Sequence, residues 1–374
     1  MGHSTLIFAD RLLKPFYFLL KWIKCIWPKK AFLTDQIYVI KFFGLGSLTR
    51  IAYVIENTGV DKNKVTIITL KSNQSIIEHL KINAIYIRSS NPFYFAADYF
   101  KAMFHVWKKK RVHVFDMERS SNFSGIFRIL LAIRKPSTGL FFKAENKMLG
   151  NQFFVTLVNK TAVASIAEMF GQKEFQLRDV APISAQSNEV LINVNAGAYL
   201  PQRMFPLSKF ADLVVQLHAE YANWTFVLTG AKTELGRVGQ FINLLEKGGV
   251  DKAKIRNLAG QQNLNDFLTT IKDVDLVITN DSGPIHFANY VGAKTVGIWG
   301  PTSAEMVGYS NSNTMLNLIP DEACSPCFIN PKSKVAKVCG GQLTCFHNYA
   351  IDNMVTKIKE FVAASPKNGI IDSE

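Results

Sequence analysis

From Asp35 onward, short apolar runs rich in β-branched and aromatic residues alternate with segments of helical spacing. The runs "QIYVIKFF", "KVTIITL", "NAIYIRS" and "RVHVFDM" are separated by "SLTRIAYVIEN", "SNQSIIEHL" and "NPFYFAADYFKAMFHVWKKK". Strands that alternate with helices predict βαβ units and a parallel sheet. A polar, weakly periodic stretch, "GQKEFQLRDVAPISAQSNE" at residues 171–189, reads as a linker. The alternation then restarts with "VLINVNAG", "WTFVLTG", "KIRNLAG", "VDLVITN" and "AKTVGIWG", each followed by a turn rich in Gly, Asn or Thr. The pattern predicts two doubly wound α/β domains facing a cleft, at 35–180 and 181–350, with 351–374 as a C-terminal helix and tail.

Residues 1–34 follow a different pattern. The stretch from Leu6 to Lys30 is apolar and aromatic, but Arg11, Lys14, Lys21 and Lys24 interrupt it. No run reaches the ~18 uninterrupted apolar residues of a membrane span. A signal peptide would need a charged start, a continuous apolar stretch and a small-residue cleavage site, and the sequence shows none of these clearly. The Met-Gly start lacks the hydroxyl residue of a myristoylation signal, since position 6 is Leu. An amphipathic helix on a membrane surface fits, with lysines snorkelling and Trp22 and Trp27 at headgroup depth. A helix packed on the protein's own core fits the same spacing.

Composition narrows the partners. The 374 residues are 48% hydrophobic and 19% charged, which describes a folded chain long enough for two cores. A formal net charge of +14 favours an anionic partner: nucleic acid, membrane or phosphorylated substrate. Residues 101–147 hold eleven Lys/Arg against three Asp/Glu, a basic region that also reads as a solvated face. No nucleic-acid recognition motif accompanies the charge.

In open α/β sheets, ligands bind beyond the carboxyl ends of the strands, where helix N-termini present free N–H groups and positive dipole ends. The turn after "VDLVITN" is the strongest candidate of this kind. Asp281 or Ser282 can cap a helix, Gly283 admits a ligand to the backbone, and Pro284 suits a first turn. His286 then falls within reach of a phosphate, which capping alone does not require. A second turn supplies Ala196, Gly197 and Ala198, then Arg203; a third offers Gly230 and Glu234; the run "KIRNLAG" ends in Gly260. The triplet Asp273-Val274-Asp275 lies at the start of a strand, away from the ligand end, and reads as structural.

The segments "NVNAGAYLPQRMFPLSKFADLV", "FVLTGAKTE", "NLAGQQNLNDFLTTIKDVDLVITNDSGPIHFANYVGAKTVGIWGPT" and "VIKFFGLGSL" together resemble glycosyltransferase family 9, the lipopolysaccharide heptosyltransferase family. The resemblance is dense from 190 to 303 and thinner from 37 to 135. It implies a GT-B fold, with a nucleotide-sugar donor, usually ADP-heptose, on the second domain and a glycolipid acceptor on the first. It also implies that Arg203 meets the donor diphosphate, that Asp281, Ser282, Gly283 and His286 form the donor turn, and that Glu234 lies near the ribose. Leaving-group charge would fall to Arg203, His286 and backbone N–H donors, with no metal required.

One position departs from the family pattern. The family's loop after the first strand ends in Gly-Asp, and that Asp is its proposed base. Here the loop reads "FFGLGSL", which puts Ser47 there, behind Gly44 and Gly46. An unassisted hydroxyl is no general base near neutral pH, so Ser47 is left to cap the next helix or contact a phosphate. Asp116 and Glu118, at the carboxyl end of a first-domain strand, are the replacement candidates; salt bridges to Arg119 or Arg111 would account for them equally well. Thr49 stands where a dinucleotide fingerprint needs its third glycine, so a dehydrogenase is disfavoured.

Cys324, Cys327, Cys339 and Cys345 form C-x2-C-x11-C-x5-C in a loop-rich stretch. They read as a structural zinc site, with His347 as a substitute ligand, or as free thiols. The resulting expectation is an inverting glycosyltransferase without a catalytic cofactor, peripheral on the cytosolic face of the inner membrane. A non-catalytic nucleotide- or glycolipid-binding protein of the same fold is the rival, with Ser47 as its support.

Overall fold

The computed structural model describes residues 12–24, 35–118, 122–133, 135–141, 152–156, 161–172, 186–197, 201–307, 313–327 and 343–364. The chain divides into two compact units, 1–176 and 177–374.

The first unit opens with helix α1 (Lys14–Lys24), followed by β1 (Gln36–Ile40), α2 (Leu45–Asn57), β2 (Val65–Leu70), α3 (Gln74–Leu80) and β3 (Asn83–Ile87). Then come α4 (Pro92–Lys108), β4 (Val112–Asp116), α5 (Asn122–Leu131), β5 (Ser137–Phe141), β6 (Gln152–Thr156) and α6 (Ala162–Met169). The sheet is parallel, in the spatial order β3, β2, β1, β4, β5, β6. Its central strands read as nearly unbroken apolar runs because helices cover both faces. Tyr38, Ile40, Phe42, Val112 and Val114 meet Tyr99, Met103 and Val106 of α4 and Phe127 and Leu131 of α5 in one core.

The second unit repeats the plan. Its elements are β7 (Glu189–Asn193), α7 (Leu207–Glu220), β8 (Thr225–Leu228), α8 (Leu235–Lys247), β9 (Ile255–Asn257), α9 (Leu264–Asp273), β10 (Leu276–Asn280), α10 (Gly283–Val291), β11 (Thr295–Ile298), β12 (Met315–Leu318) and α11 (Ile351–Ala363). The order is β12, β11, β10, β7, β8, β9, again parallel. Helix α11 belongs to this core: Met354, Val355, Ile358 and Phe361 pack with Phe210 and Leu217 of α7. Buried Lys294 donates from Nζ to the carbonyls of Phe361 (2.7 Å) and Val362 (3.4 Å), satisfying the helix's last turn.

Every expected strand is present, with three more at β5, β6 and β12. Asp275 is structural, as expected: its carboxylate accepts from the N–H groups of Ser187 and Asn188 and fixes the turn into β7.

Helix α1 lies against α5. Tyr17, with Leu13 and Leu20, packs on Ile126 and Ile129, and the Tyr17 ring sits so close to Gly125 that an added Cβ would fall 2.5 Å from it. Leu12, Phe16, Leu19 and Trp22 face outward. The reading as a helix packed on the protein's own core describes its inner face; Trp27 lies outside the described residues. No helix among the described residues is long and apolar enough to cross a membrane.

Candidate active site

In each sheet the order reverses between its first and fourth strands, β1/β4 and β7/β10, and the crevice beyond such a reversal is where doubly wound proteins take ligands. The predicted donor turn falls at the second of these. Beyond β10, Asp281 is almost fully buried, at 2% exposure, and its N–H donates to the Ile298 carbonyl of β11. Arg203 reaches it from a short turn between β7 and α7: Arg203 Nη1 is 3.5 Å from Asp281 Oδ2, while Nη2 donates to the Ala196 carbonyl at 2.8 Å. The turn is anchored by Asn280, whose Oδ1 accepts from the Phe205 N–H and whose Nδ2 reaches toward the Asn195 carbonyl. One guanidinium thus ties the carboxyl end of β7 to that of β10.

Three buried polar groups gather at the carboxyl ends of neighbouring strands. Asp281 Oδ1, both side-chain atoms of Asn195 after β7, and Thr302 Oγ1 after β11 have no hydrogen-bond partner among the described residues. An unpaired buried polar group costs ~1–3 kcal/mol. Three such groups lie along the edge where doubly wound sheets take ligands, and each can hydrogen-bond to a polar ligand there. The sequence motifs contain Asn195 and Thr302 without singling them out, because burial without a partner is not written in residue type.

Ser282 stands at the N-cap of α10, but no side chain caps this helix, contrary to expectation. The Ser282 hydroxyl pairs with Thr279 Oγ1 at 3.2 Å instead. Pro284 is in the first turn, and His286, one residue beyond Ile285, is buried.

The neighbouring turns close around the same edge. Glu234 Oε2 accepts from the Ala231 N–H, and the Gly260 N–H donates to the Gly230 carbonyl at 2.8 Å, joining the turns after β8 and β9. Gly230 leaves room for Asn195: a Cβ there would lie 2.9 Å from Asn195 Nδ2. Arg237 of α8 donates to the carbonyls of Val194 and Phe205, and burial pulls its pKa down. Ala198 lies outside the described residues.

In the first unit the two candidate carboxylates differ. Glu118 is a clamp: Oε2 pairs with Lys41 Nζ at 2.9 Å, and Oε1 accepts from the N–H groups of Phe42 (2.6 Å) and Phe43 (2.9 Å). It fixes the loop after β1. Asp116 is buried, with Oδ2 accepting from Ser124 Oγ and lying 3.9 Å from Arg128 Nε, and with Oδ1 accepting from the Glu118 N–H. Burial raises its pKa to about 7, against the opposing pull of Arg128. Arg119 lies outside the described residues; Arg111 pairs with Asp35 and not with either candidate.

Ser47 does not cap α2. Gly44, at φ +86, holds the N-cap position, and Ser47 sits inside the first turn beside buried Gly46, where its Oγ accepts from Arg50 Nη2 at 3.0 Å. The left-handed backbone at residue 44 favours glycine, which places the cap there.

The zinc expectation is not met by the described thiols. Cys324 and Cys327 are half-buried, Cys345 is a member of the apolar core beside Phe346, and no three metal-binding side chains come together among the described residues. Cys339 lies outside them.

Residues 124–337 match the model of glycosyltransferase family 9 (heptosyltransferase). The chain belongs to glycosyltransferase family 9. The match to the family 9 model contains the whole of this edge, from Asn195 to Thr302. Among relatives, lipooligosaccharide heptosyltransferase 2 of Campylobacter jejuni is 26% identical over 208 residues, covering 54% of this chain and 63% of that protein, a little under two thirds of its length. Among solved structures, a family 9 glycosyl transferase from Veillonella parvula superposes with a TM-score of 0.64 at 15% identity, over 89% of this chain and 99% of that one. The ADP-heptose LPS heptosyltransferase II of E. coli gives 0.62 at 13% identity, over 88% and 98%. These likenesses establish a GT-B-like α/β fold with parallel sheets for this member of family 9.

Proposed function

We propose that the chain is a glycosyltransferase that moves heptose or a related sugar from an ADP-linked donor to a lipopolysaccharide core or other glycolipid acceptor, with inversion at the anomeric carbon. The observation that carries the reading is the set of buried atoms without a hydrogen-bond partner among the described residues, the Asn195 amide, Asp281 Oδ1 and Thr302 Oγ1, at the strand-order reversal of the second unit where Arg203 pairs with Asp281 Oδ2. Family membership supports the reaction class, and the names of the Campylobacter and E. coli relatives support heptose and ADP.

In this reading the donor diphosphate meets Arg203, His286 and the Gly283 N–H at the start of α10, which take up the charge that develops on the leaving group without a metal. Glu234 and the joined turns at Gly230 and Gly260 border the nucleoside. Gly44, Gly46 and Ser47 face the acceptor side. The acceptor hydroxyl attacks the anomeric carbon as the bond to the diphosphate breaks, and its proton goes to a carboxylate. Glu118 is spent on the loop, which leaves Asp116 as the carboxylate whose proton affinity suits a base near neutral pH. A lipid-linked acceptor places the protein at the cytosolic face of a membrane.

Calorimetric titration with ADP, UDP, GDP and CMP, followed by the matching sugar nucleotide, tests the donor assignment. Selective micromolar binding of ADP is the expected result; binding of none would overturn it. The second reading, a binder that has lost catalysis, rests on Ser47 at the family's base position, and sugar transfer by the purified protein would exclude it.

A further inference from the structure

Helix α4 has two apolar faces. Asp98, Tyr99, Ala102, Met103 and Val106 face the core, as an amphipathic helix over a sheet requires. On the opposite side, Phe93 (75% exposed), Phe100 (51%), Phe104 (55%) and Trp107 (40%) form a stripe, since steps of seven, four and three residues return to one side of a helix. A helix that is apolar all round belongs to a buried environment, yet this stripe is bare among the described residues.

The stripe has a neighbour. Trp107 Nε1 donates to the Leu130 carbonyl of α5, so α4 and α5 run side by side, and α1 lies on α5 through Tyr17, Ile126 and Ile129. The outward residues of α1, Phe16 and Leu19 among them, therefore share this side of the first unit with the α4 stripe. Charge follows the same surface. Residues 91–111 include five exposed cations, Lys101, Lys108, Lys109, Lys110 and Arg111, while the one acid, Asp98, is buried and paired with Arg88. Helix α1 carries lysines and no acid.

We infer that the outer stripe of α4, together with the outer face of α1, is a docking surface for an anionic phospholipid bilayer. Aromatic rings with lysines at their margin match the interfacial zone, where the rings enter the headgroup–acyl boundary and the cations stay at the phosphates. A second copy of the chain fits poorly, because a two-fold contact would set these like-charged surfaces against each other. The inference deepens the acceptor reading above by placing the membrane on α4 as well as α1. Vesicles without nucleotide test it separately from the donor assignment.

The experiment is co-sedimentation of the full chain with phosphatidylcholine vesicles, with and without about 30% phosphatidylglycerol. Wild type should bind the anionic vesicles; Phe100→Gln/Phe104→Gln should weaken that binding about tenfold or more, with ADP affinity and circular dichroism unchanged. Lys108→Gln/Lys109→Gln/Lys110→Gln should weaken binding to anionic vesicles several-fold, and added salt should have the same effect on wild type. Wild-type binding that survives both sets of substitutions, or no binding to anionic vesicles at all, would overturn the inference. A wild-type dimer that the paired phenylalanine substitutions dissociate would overturn it in favour of a second copy, and an acidic protein that displaces the vesicles would do so in favour of that class of partner.

Discussion

Arg203 Nη1 lies 3.5 Å from Asp281 Oδ2 in a setting where the aspartate is almost wholly buried. The pair joins two strand ends that are 85 or more residues apart in sequence, Ala196 and Asp281, through one guanidinium. Removing the arginine leaves a buried carboxylate without its counter-charge, whereas removing the carboxylate frees the arginine. Arg203→Ala is therefore expected to lower both stability, by ~1–3 kcal/mol, and ADP affinity, by about tenfold or more. Arg203→Lys should not restore affinity, because an ammonium cannot serve the Ala196 carbonyl and a diphosphate with the same fork. Denaturant unfolding and calorimetry read the two effects.

Asp281→Ala and His286→Ala probe the proposed donor turn directly. Each should weaken sugar-nucleotide binding about tenfold or more. Unchanged affinity in both would place the donor elsewhere.

Asp116 gives the protein a pH dependence of definite sign. Its pKa rises from an ordinary carboxylate value of 3.8 to about 7 on folding, so the folded state holds a proton that the unfolded state releases. The stabilisation from that proton is complete below pH ~4 and is lost as pH rises through ~7. The unfolding free energy of wild type, measured relative to Asp116→Asn, should fall across that window and level off above it. A flat difference would show that Asp116 stays charged. If Asp116 is also the base, the same substitution should remove most of the turnover and leave donor affinity nearly intact.

Glu118→Gln should act through the loop and not through the proton. The substitution deletes the Lys41 ion pair and weakens the acceptor held by two backbone N–H groups, at a cost of ~1–3 kcal/mol in thermal or denaturant unfolding. A drop in turnover without that loss of stability would reassign Glu118 to the chemistry.

Gly230→Ala tests the close approach of the turn to Asn195. The new methyl must displace the Asn195 amide, so nucleotide affinity should drop about tenfold. Calorimetry of the variant against ADP checks it.

The alternation of strands and helices could be anticipated because each buried strand writes itself as an apolar run and each turn as a break of Gly, Asn or Thr. β5 and β6 escaped because "STGLF" and "QFFVT" lie among basic and polar residues without a clear helical segment between them. Arg203 and Asp281 were legible as a charged residue in a turn and an acid before a helix, yet nothing in the sequence paired them; that depends on β7 and β10 being neighbours. Asn195 and Thr302 carry no chemical label by residue type. Their significance lies in burial without a partner, a property of three dimensions. Glu118 shows the reverse case, a carboxylate whose position suggested catalysis and whose hydrogen bonds hold a loop.

The hydroxyl of Ser282 turns back to Thr279 and leaves α10 without a side-chain cap. In its first turn Pro284 has no N–H and the Ile285 N–H donates to the Ser282 carbonyl, so the Gly283 N–H is the donor that an anion seated there would complete as a cap does. Ligand and fold then share one free-energy term. On the proposed donor reading, the melting temperature of the protein should rise with nucleotide concentration and so gauge how much of the site is filled.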